Sequence, residues 1–144
     1  MSREKTALLV SPFEEDHVFL DEVFFHQGWT LYKAPRLAGA VAFLNENPVS
    51  VVITERDLPL GGWKDVLEAI RHLPDAPLLI VASKLVDEHL WAEVLNLGGQ
   101  DVIYKPFQLK ELLWVLNSAW LHRAPNEIET PYLEDGMARC EAVR

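Results

Sequence analysis

The chain has 144 residues, 49% of them apolar and 24% charged, which suits a single globular domain with a substantial core. Its 22 acidic and 13 basic side chains give a formal charge of −9, which argues against direct nucleic-acid binding because phosphate backbones require concentrated positive charge. No apolar run is long enough to span a membrane, the polar start does not resemble a signal peptide, and the lone Cys140 fits a reducing cytoplasm.

Short apolar runs alternate with amphipathic stretches along the first half of the chain. Residues 6–10 are typical of a buried parallel strand, and residues 16–27 carry apolar side chains at helical spacing. Residues 29–34 alternate as a second strand does, residues 35–45 follow as a small-residue helix, and residues 49–54 predict a third strand.

The second half of the chain repeats this pattern. Gly61-Gly62 breaks the chain before a predicted helix over residues 63–73, and two prolines frame the next turn. Strands are predicted over residues 78–82 and 102–104, and helices over residues 87–97 and 109–121.

Five strands alternating with five helices predict an α/β fold, with an open parallel sheet and right-handed crossovers. The leading strand order is 2-1-3-4-5, which is the flavodoxin-like arrangement. Ligand sites in such sheets lie beyond the carboxyl ends of the strands. The loops after the first, third, fourth and fifth strands should therefore surround one pocket.

The alternating pattern stops near residue 124. This predicts a domain over residues 1–123 and a tail or linker over residues 124–144. Leu133, Met137 and Cys140 fall on one helical face of that segment. The segment is either a tail leading to a further domain, or a short helix that docks on the domain or on a partner.

Two motifs follow predicted strands. Lys105-Pro106-Phe107 comes after the fifth strand and precedes a leucine-rich helix, and Asp57-Leu58-Pro59 comes just after the third strand. With the alternation around them, residues 6–121 resemble the receiver domain of bacterial two-component response regulators. The resemblance implies the 2-1-3-4-5 order and a cytoplasmic signalling module of a phosphorelay rather than an enzyme.

The resemblance places Glu55 at the position of the phosphorylated aspartate. A glutamate is negative without a kinase, whereas phosphorylation adds about 1.5 to 2 negative charges. The resemblance also implies that Lys105 pairs with the acceptor position and that the Lys105–Pro106 peptide bond is cis. Asp57 lies two residues beyond Glu55, and its side chain is expected to point outward rather than accept a phosphoryl group.

The acidic pair that holds Mg²⁺ in receivers is missing, because the matching positions are Ser11 and Pro12. Glu14, Glu15 and Asp16 come next, and we interpret them as charges that stabilise the N-terminus of the first helix. The alternative is that one of them reaches back into the pocket. We therefore predict a site without Mg²⁺ or another cofactor.

The residues of the family's switch also differ. Ala82 stands where the resemblance implies a Thr or Ser, and Ser83 substitutes for it only if the strand end shifts by one residue. Val102 stands at the position of the switch aromatic, and Tyr104 lies on the same face of the strand, nearer Lys105. We therefore expect the coupled hydroxyl and aromatic switch to be disabled.

Several aromatic and apolar side chains exceed what the helices need for the core. Trp91 and Leu95 form a ridge beside the core stripe of the fourth helix, and Trp114 is left over on the fifth. With Tyr104 they are candidate interface residues, since aromatic anchors are typical of interfaces. The resemblance implies a dimer or effector face formed by the fourth helix, fifth strand and fifth helix. The alternative is that loops or the tail cover these residues.

These features favour a degenerate receiver that acts through protein contacts without phosphorylation. Its partner would be a histidine kinase, an output protein or a second copy of the chain. One alternative is a receiver that is phosphorylated with Mg²⁺ at a displaced acidic site. Another is a flavodoxin-like nucleotide or flavin binder, but the loop after the first strand is acidic and lacks a glycine-rich phosphate-binding pattern.

Overall fold

The structure is a computed structural model that describes residues 4–123. These residues form a five-stranded sheet, a short two-stranded hairpin and five helices. In chain order the elements are β1 (Thr6–Val10), α1 (Glu14–His26), β2 (Thr30–Ala34), α2 (Leu37–Glu46), β3 (Val51–Glu55), β4 (Asp57–Leu58), β5 (Gly61–Gly62), α3 (Trp63–Arg71), β6 (Leu78–Ser83), α4 (Glu88–Leu97), β7 (Asp101–Tyr104) and α5 (Leu109–Arg123).

The main sheet has the order β2-β1-β3-β6-β7, and all of its neighbouring strands are parallel. Since β6 and β7 are the predicted fourth and fifth strands, the 2-1-3-4-5 order and the flavodoxin-like α/β fold are confirmed. β1 and β3 are buried along their whole length, because helices cover both faces of the sheet. This burial explains why both strands read as continuous apolar runs.

The core lies in two layers, one on each face of the sheet. Alternate strand residues such as Leu8 and Val52 pack with α2, α3 and α4, whereas Leu9 and Ile53 pack with α1 and α5. The two layers fix both helices that flank the carboxyl end of β7. The loops at that end are therefore held between well-packed elements.

Two local features differ from the sequence prediction. α1 begins at Glu14, two residues early, because the Phe13 carbonyl accepts the backbone N–H groups of Asp16 and His17. The predicted break at Gly61-Gly62 is instead one strand of the β4–β5 hairpin. Leu60 at the hairpin tip is fully exposed and has a φ of 65°, a left-handed conformation that is uncommon for leucine.

Residues 1–3 and 124–144 lie outside the described part of the chain. The predicted tail, with Leu133, Met137 and Cys140, therefore lies outside it as well. Within residues 4–123, no helix combines the length and the apolar character that a membrane crossing requires.

Candidate functional site

The carboxyl ends of β1, β3 and β7 meet around a buried lysine. Lys105 follows β7 directly, and its Nζ donates a hydrogen bond of 2.7 Å to Oδ2 of Asp16. The same Nζ lies 2.5 Å from Oε1 of Glu55, the last residue of β3. Ser11 follows β1 and donates its hydroxyl proton to Oδ2 of Asp16 over 2.7 Å. We call Asp16, Glu55 and Lys105 the charge network.

The position of Asp16 corrects one interpretation of the sequence. Asp16 is buried, whereas the neighbouring Glu14 and Glu15 are exposed. The turn of the helix directs the third residue of α1 toward the sheet and leaves the first two in solvent. Asp16 is therefore more than a charge at a helix terminus, because it is an acid that reaches back into the pocket.

Glu55 is held in the network by an ionic contact. Within residues 4–123, its Oε1 accepts no well-directed hydrogen bond, although Nζ of Lys105 is 2.5 Å away. Burial raises the pKa of Glu55 above its ordinary value of 4.5, and the charges of Asp16 and Asp57 raise it further. These effects outweigh the lowering effect of Lys105 on the pKa of Glu55. Glu55 therefore holds a proton more readily than an exposed glutamate.

The pKa of Lys105 is raised above its ordinary value of 10.5. Burial acts to lower this pKa, but the hydrogen bond that Lys105 donates to Asp16 and the contact with Glu55 outweigh burial. Lys105 is thus charged at neutral pH. Two carboxylates facing one ammonium also leave the site with a formal excess of negative charge, which opposes the binding of a further anion.

The charge network does not fit the Mg²⁺ that the resemblance implies. Mg²⁺ demands a near-octahedral set of oxygen ligands, whereas the ammonium of Lys105 contacts both carboxylates. The expected metal positions hold Ser11, which is bonded to Asp16, and Pro12, which is exposed. In the part of the chain that the structure describes, no group of three or more His, Cys, Asp or Glu is arranged to hold a metal ion.

Neither of the two candidate positions provides a hydroxyl that hydrogen-bonds Glu55. Ala82 pairs with Glu55 across β3 and β6 and has no hydroxyl to offer. Ser83 uses its hydroxyl locally, where it accepts the Leu85 N–H over 3.0 Å. Val102, at the switch position, is buried in the layer that faces α2, α3 and α4.

Asp57 points away from the charge network. Its side chain is 82% exposed, and its Oδ2 lies 3.6 Å from Nε of Arg56. Arg56 also donates a hydrogen bond of 3.3 Å to the Leu85 carbonyl, which connects the loops after β3 and β6. This placement agrees with the outward orientation expected for Asp57.

The loop after β7 forms one wall of a pocket beside the network. The Lys105–Pro106 peptide bond is cis, the isomer that the resemblance implies. Phe107 stacks on Phe19 of α1 with their ring centroids 6.0 Å apart. A pocket of about 320 Å³ opens between α1 and this loop, and Asp16 and Lys105 contribute to its lining.

The candidate interface residues fall into two groups. Leu95 of α4, Tyr104 of β7 and Trp114 of α5 are each about half exposed. Trp91 instead packs, partly buried, against the core layer under α4, so it does not extend the exposed ridge. Because β7 is an edge strand between α4 and α5, the three exposed side chains belong to one side of the domain.

Phe13 was not predicted to belong to the site, and Asp16 was predicted to have a different role. The Phe13 ring covers Lys105, with its centroid 4.6 Å from Nζ. Asp16 had a signal in the sequence, whereas the place of Phe13 follows only from the observed start of α1. Phe13 occupies the N-cap, where Ser, Thr, Asp or Asn is preferred, and Asp16 shares a helical face with the core residues Leu20 and Val23.

Comparisons with known proteins give consistent relatives. No protein-family model matches the chain. It is 31% identical over 109 residues to the transcriptional regulatory protein KdpE of Mycobacterium tuberculosis, covering 75% of this chain and 48% of KdpE. It is 27% identical over 115 residues to the response regulator SaeR of Staphylococcus aureus, covering 78% of this chain and 50% of SaeR. The chain thus spans about half the length of these curated relatives.

Solved structures agree with this similarity. The signal receiver domain of an HD domain-containing protein from Pseudomonas fluorescens Pf-5 superposes with a TM-score of 0.76 and 27% identity. The superposition covers 84% of this chain and 98% of that domain.

Proposed function

Because this chain is a receiver domain of the response-regulator type, we propose that it is a signalling module that works without phosphorylation. The observation that carries the proposal is Lys105, whose ammonium contacts two carboxylates of the protein itself. A lysine engaged in this way has few donors left for phosphoryl oxygens. The formal negative charge of the network further opposes a phosphoryl group.

In this proposal Glu55 replaces the transient charge of a phosphorylated residue with a carboxylate that needs no kinase. Through Lys105 it ties the end of β3 to α1 and to the loop before α5. The domain then presents one arrangement of these segments to its partners. We propose no enzymatic activity, no Mg²⁺ requirement and a cytoplasmic location for this module.

The test is the intact mass of the full chain after incubation with Mg²⁺ and acetyl phosphate. We expect no mass gain for the wild type. We also expect none for Glu55→Asp, because Ser11 and Pro12 supply no carboxylate and Asp16 is bonded to Lys105. A gain of one phosphoryl group would contradict the proposal. Asp57→Asn is the matched control, since a gain lost in that variant would locate the acceptor at Asp57.

A second candidate function is a phosphorylatable receiver that uses Mg²⁺ at a displaced acid. The observation that favours it is Asp16, which reaches the pocket from α1. Tryptophan fluorescence during Mg²⁺ and beryllofluoride titrations separates the two functions. A saturable response that disappears in Asp16→Asn would favour this candidate, and a flat titration would favour the phosphorylation-independent module.

We propose that output passes through the face formed by α4, β7 and α5, which carries Leu95, Tyr104 and Trp114. The partner would be a second copy, a histidine kinase or an output protein. Sedimentation of the wild type and Tyr104→Glu tests the dimer, with Phe25→Glu as a control because Phe25 is exposed on α1. A dimer that only Tyr104→Glu dissociates supports self-association through this face. A wild type that stays monomeric at all concentrations rules the dimer out.

A further inference from the structure

The ammonium of Lys105 has three N–H groups, and three partners lie close to its Nζ. Two of them are carboxylate oxygens, Oδ2 of Asp16 at 2.7 Å and Oε1 of Glu55 at 2.5 Å. The third is the Phe13 ring, whose centroid lies 4.6 Å from Nζ. An aromatic face attracts a cation at this distance, and the attraction grows when water is excluded. Only 3% of Lys105 is exposed.

Hydrogen bonds connect the loop that carries Phe13 to the charge network. The backbone N–H of Phe13 donates to Oγ of Ser11 over 3.1 Å, and the Ser11 hydroxyl donates to Oδ2 of Asp16 over 2.7 Å. The Phe13 carbonyl accepts the backbone N–H groups of Asp16 and His17. The backbone of Phe13 is therefore bonded to Asp16, which also holds Lys105.

Phe13 is also an unexpected residue for its place in the helix. It is the N-cap of α1, where a Ser, Thr, Asp or Asn side chain would bond an open backbone N–H, and Phe13 forms no such cap. Phe13 as a whole residue also remains 43% exposed. Neither helix capping nor complete burial accounts for an aromatic side chain here, whereas its contact with Lys105 does.

We propose that Phe13 is a positioning residue for Lys105: its aromatic face acts as the third partner of the ammonium and closes to solvent the side of Lys105 that it covers. This inference deepens the proposed function and rests on it for its consequence, which is that Lys105 has no third donor to offer a phosphate-like ligand. The closure itself is a property of the folded chain. It is measurable without a phosphoryl donor or Mg²⁺.

The experiment is reductive methylation of lysines in the full chain, followed by peptide mass mapping over time. Lys84 is the internal reference, since it is exposed and lines the same pocket as Lys105. The rate of Lys105 relative to Lys84 should rise roughly two- to thirtyfold in Phe13→Ala, which corresponds to the range of cation–π strengths. Phe13→Tyr, which keeps the aromatic face, should retain the wild-type rate, and Phe25→Ala is the matched control on α1.

Phe13→Leu decides whether the aromatic face matters. Leucine retains an apolar cover without a π-face, so we expect Lys105 to react faster in this variant than in Phe13→Tyr. Equal protection by leucine and tyrosine would overturn the proposal, and so would an unchanged rate in Phe13→Ala. Phe13→Leu and Phe13→Tyr also preserve a test if the alanine variant does not fold. A phosphoryl gain in the acetyl phosphate experiment would contradict the proposed function. The labelling result would still decide the role of Phe13, because it does not depend on a phosphoryl donor.

Discussion

Replacing Lys105 with methionine should destabilise the domain strongly and in a pH-dependent way. The substitution leaves the buried carboxylates of Asp16 and Glu55 without their shared cation, and breaking a buried ion pair costs about 3–5 kcal/mol. Proton uptake limits the part of this cost that comes from Glu55. Neutralising a glutamate at pH 7 from its ordinary pKa of 4.5 costs about 3.4 kcal/mol, at 1.36 kcal/mol for each pH unit. At pH 5 the same limit falls to about 0.7 kcal/mol.

Urea unfolding of the wild type and Lys105→Met at pH 7 and pH 5 measures this effect. We expect a loss of about 3–4 kcal/mol at pH 7 that shrinks by about 2–3 kcal/mol at pH 5, with an unchanged urea dependence. Lys84→Met is the matched control, since Lys84 is exposed, and should change stability by less than about 0.5 kcal/mol. A loss below about 1 kcal/mol at pH 7, or an equal loss at both pH values, would refute the reasoning.

Three further predictions concern Glu55, the Asp16–Lys105 pair and the β4–β5 hairpin. Because the pKa of Glu55 is raised in the folded state, wild-type stability relative to Glu55→Gln should increase as pH falls through that pKa and level off below 4.5, as urea titrations across this range would show. A double-mutant cycle of Asp16→Asn and Lys105→Met should give a coupling of about 0.5–3 kcal/mol by urea unfolding, and additive losses would mean the two residues do not interact. Leu60→Gly should stabilise the domain by about 1 kcal/mol or less, because it relieves the positive φ, whereas Leu60→Ala keeps the strained Cβ and should give no gain in thermal melts.

The fold was predictable because the strand pattern and the helix pattern in the sequence agree. Apolar runs of strand length alternate with helical stripes, and this alternation allows few arrangements other than a parallel sheet covered on both faces. The order of the strands needed the resemblance as well as the pattern. The β4–β5 hairpin escaped prediction because its strands are two residues long, so no period is visible, and Gly61-Gly62 reads equally well as a chain break.

The site was predictable only where the order of the strands decides which residues lie close together. Glu55 ends β3 and Lys105 follows β7, with β6 between them, so the strand order places both residues at the same edge of the sheet. Asp16 lies 89 residues from Lys105, and its contact depends on the residue at which α1 begins. A start at residue 16 leaves Asp16 as a helix-terminus charge, whereas the observed start at Glu14 turns it toward the sheet. Small boundary errors therefore change which acid enters a pocket.

The charge network bears on how such a domain can signal. A ligand shifts a conformational equilibrium only by its differential affinity for the two states, so a receiver switched by phosphate needs a site that accepts phosphate. Here both carboxylates and the lysine come from the chain, and each copy carries the same charges whatever the activity of a kinase. In the proposed function, the signal must then depend on the amount of the protein or on its partners. Glu55→Gln should therefore alter the stability of the domain and the pH dependence of that stability. The binding of a partner to the α4–β7–α5 face should change only if the position of β7 changes.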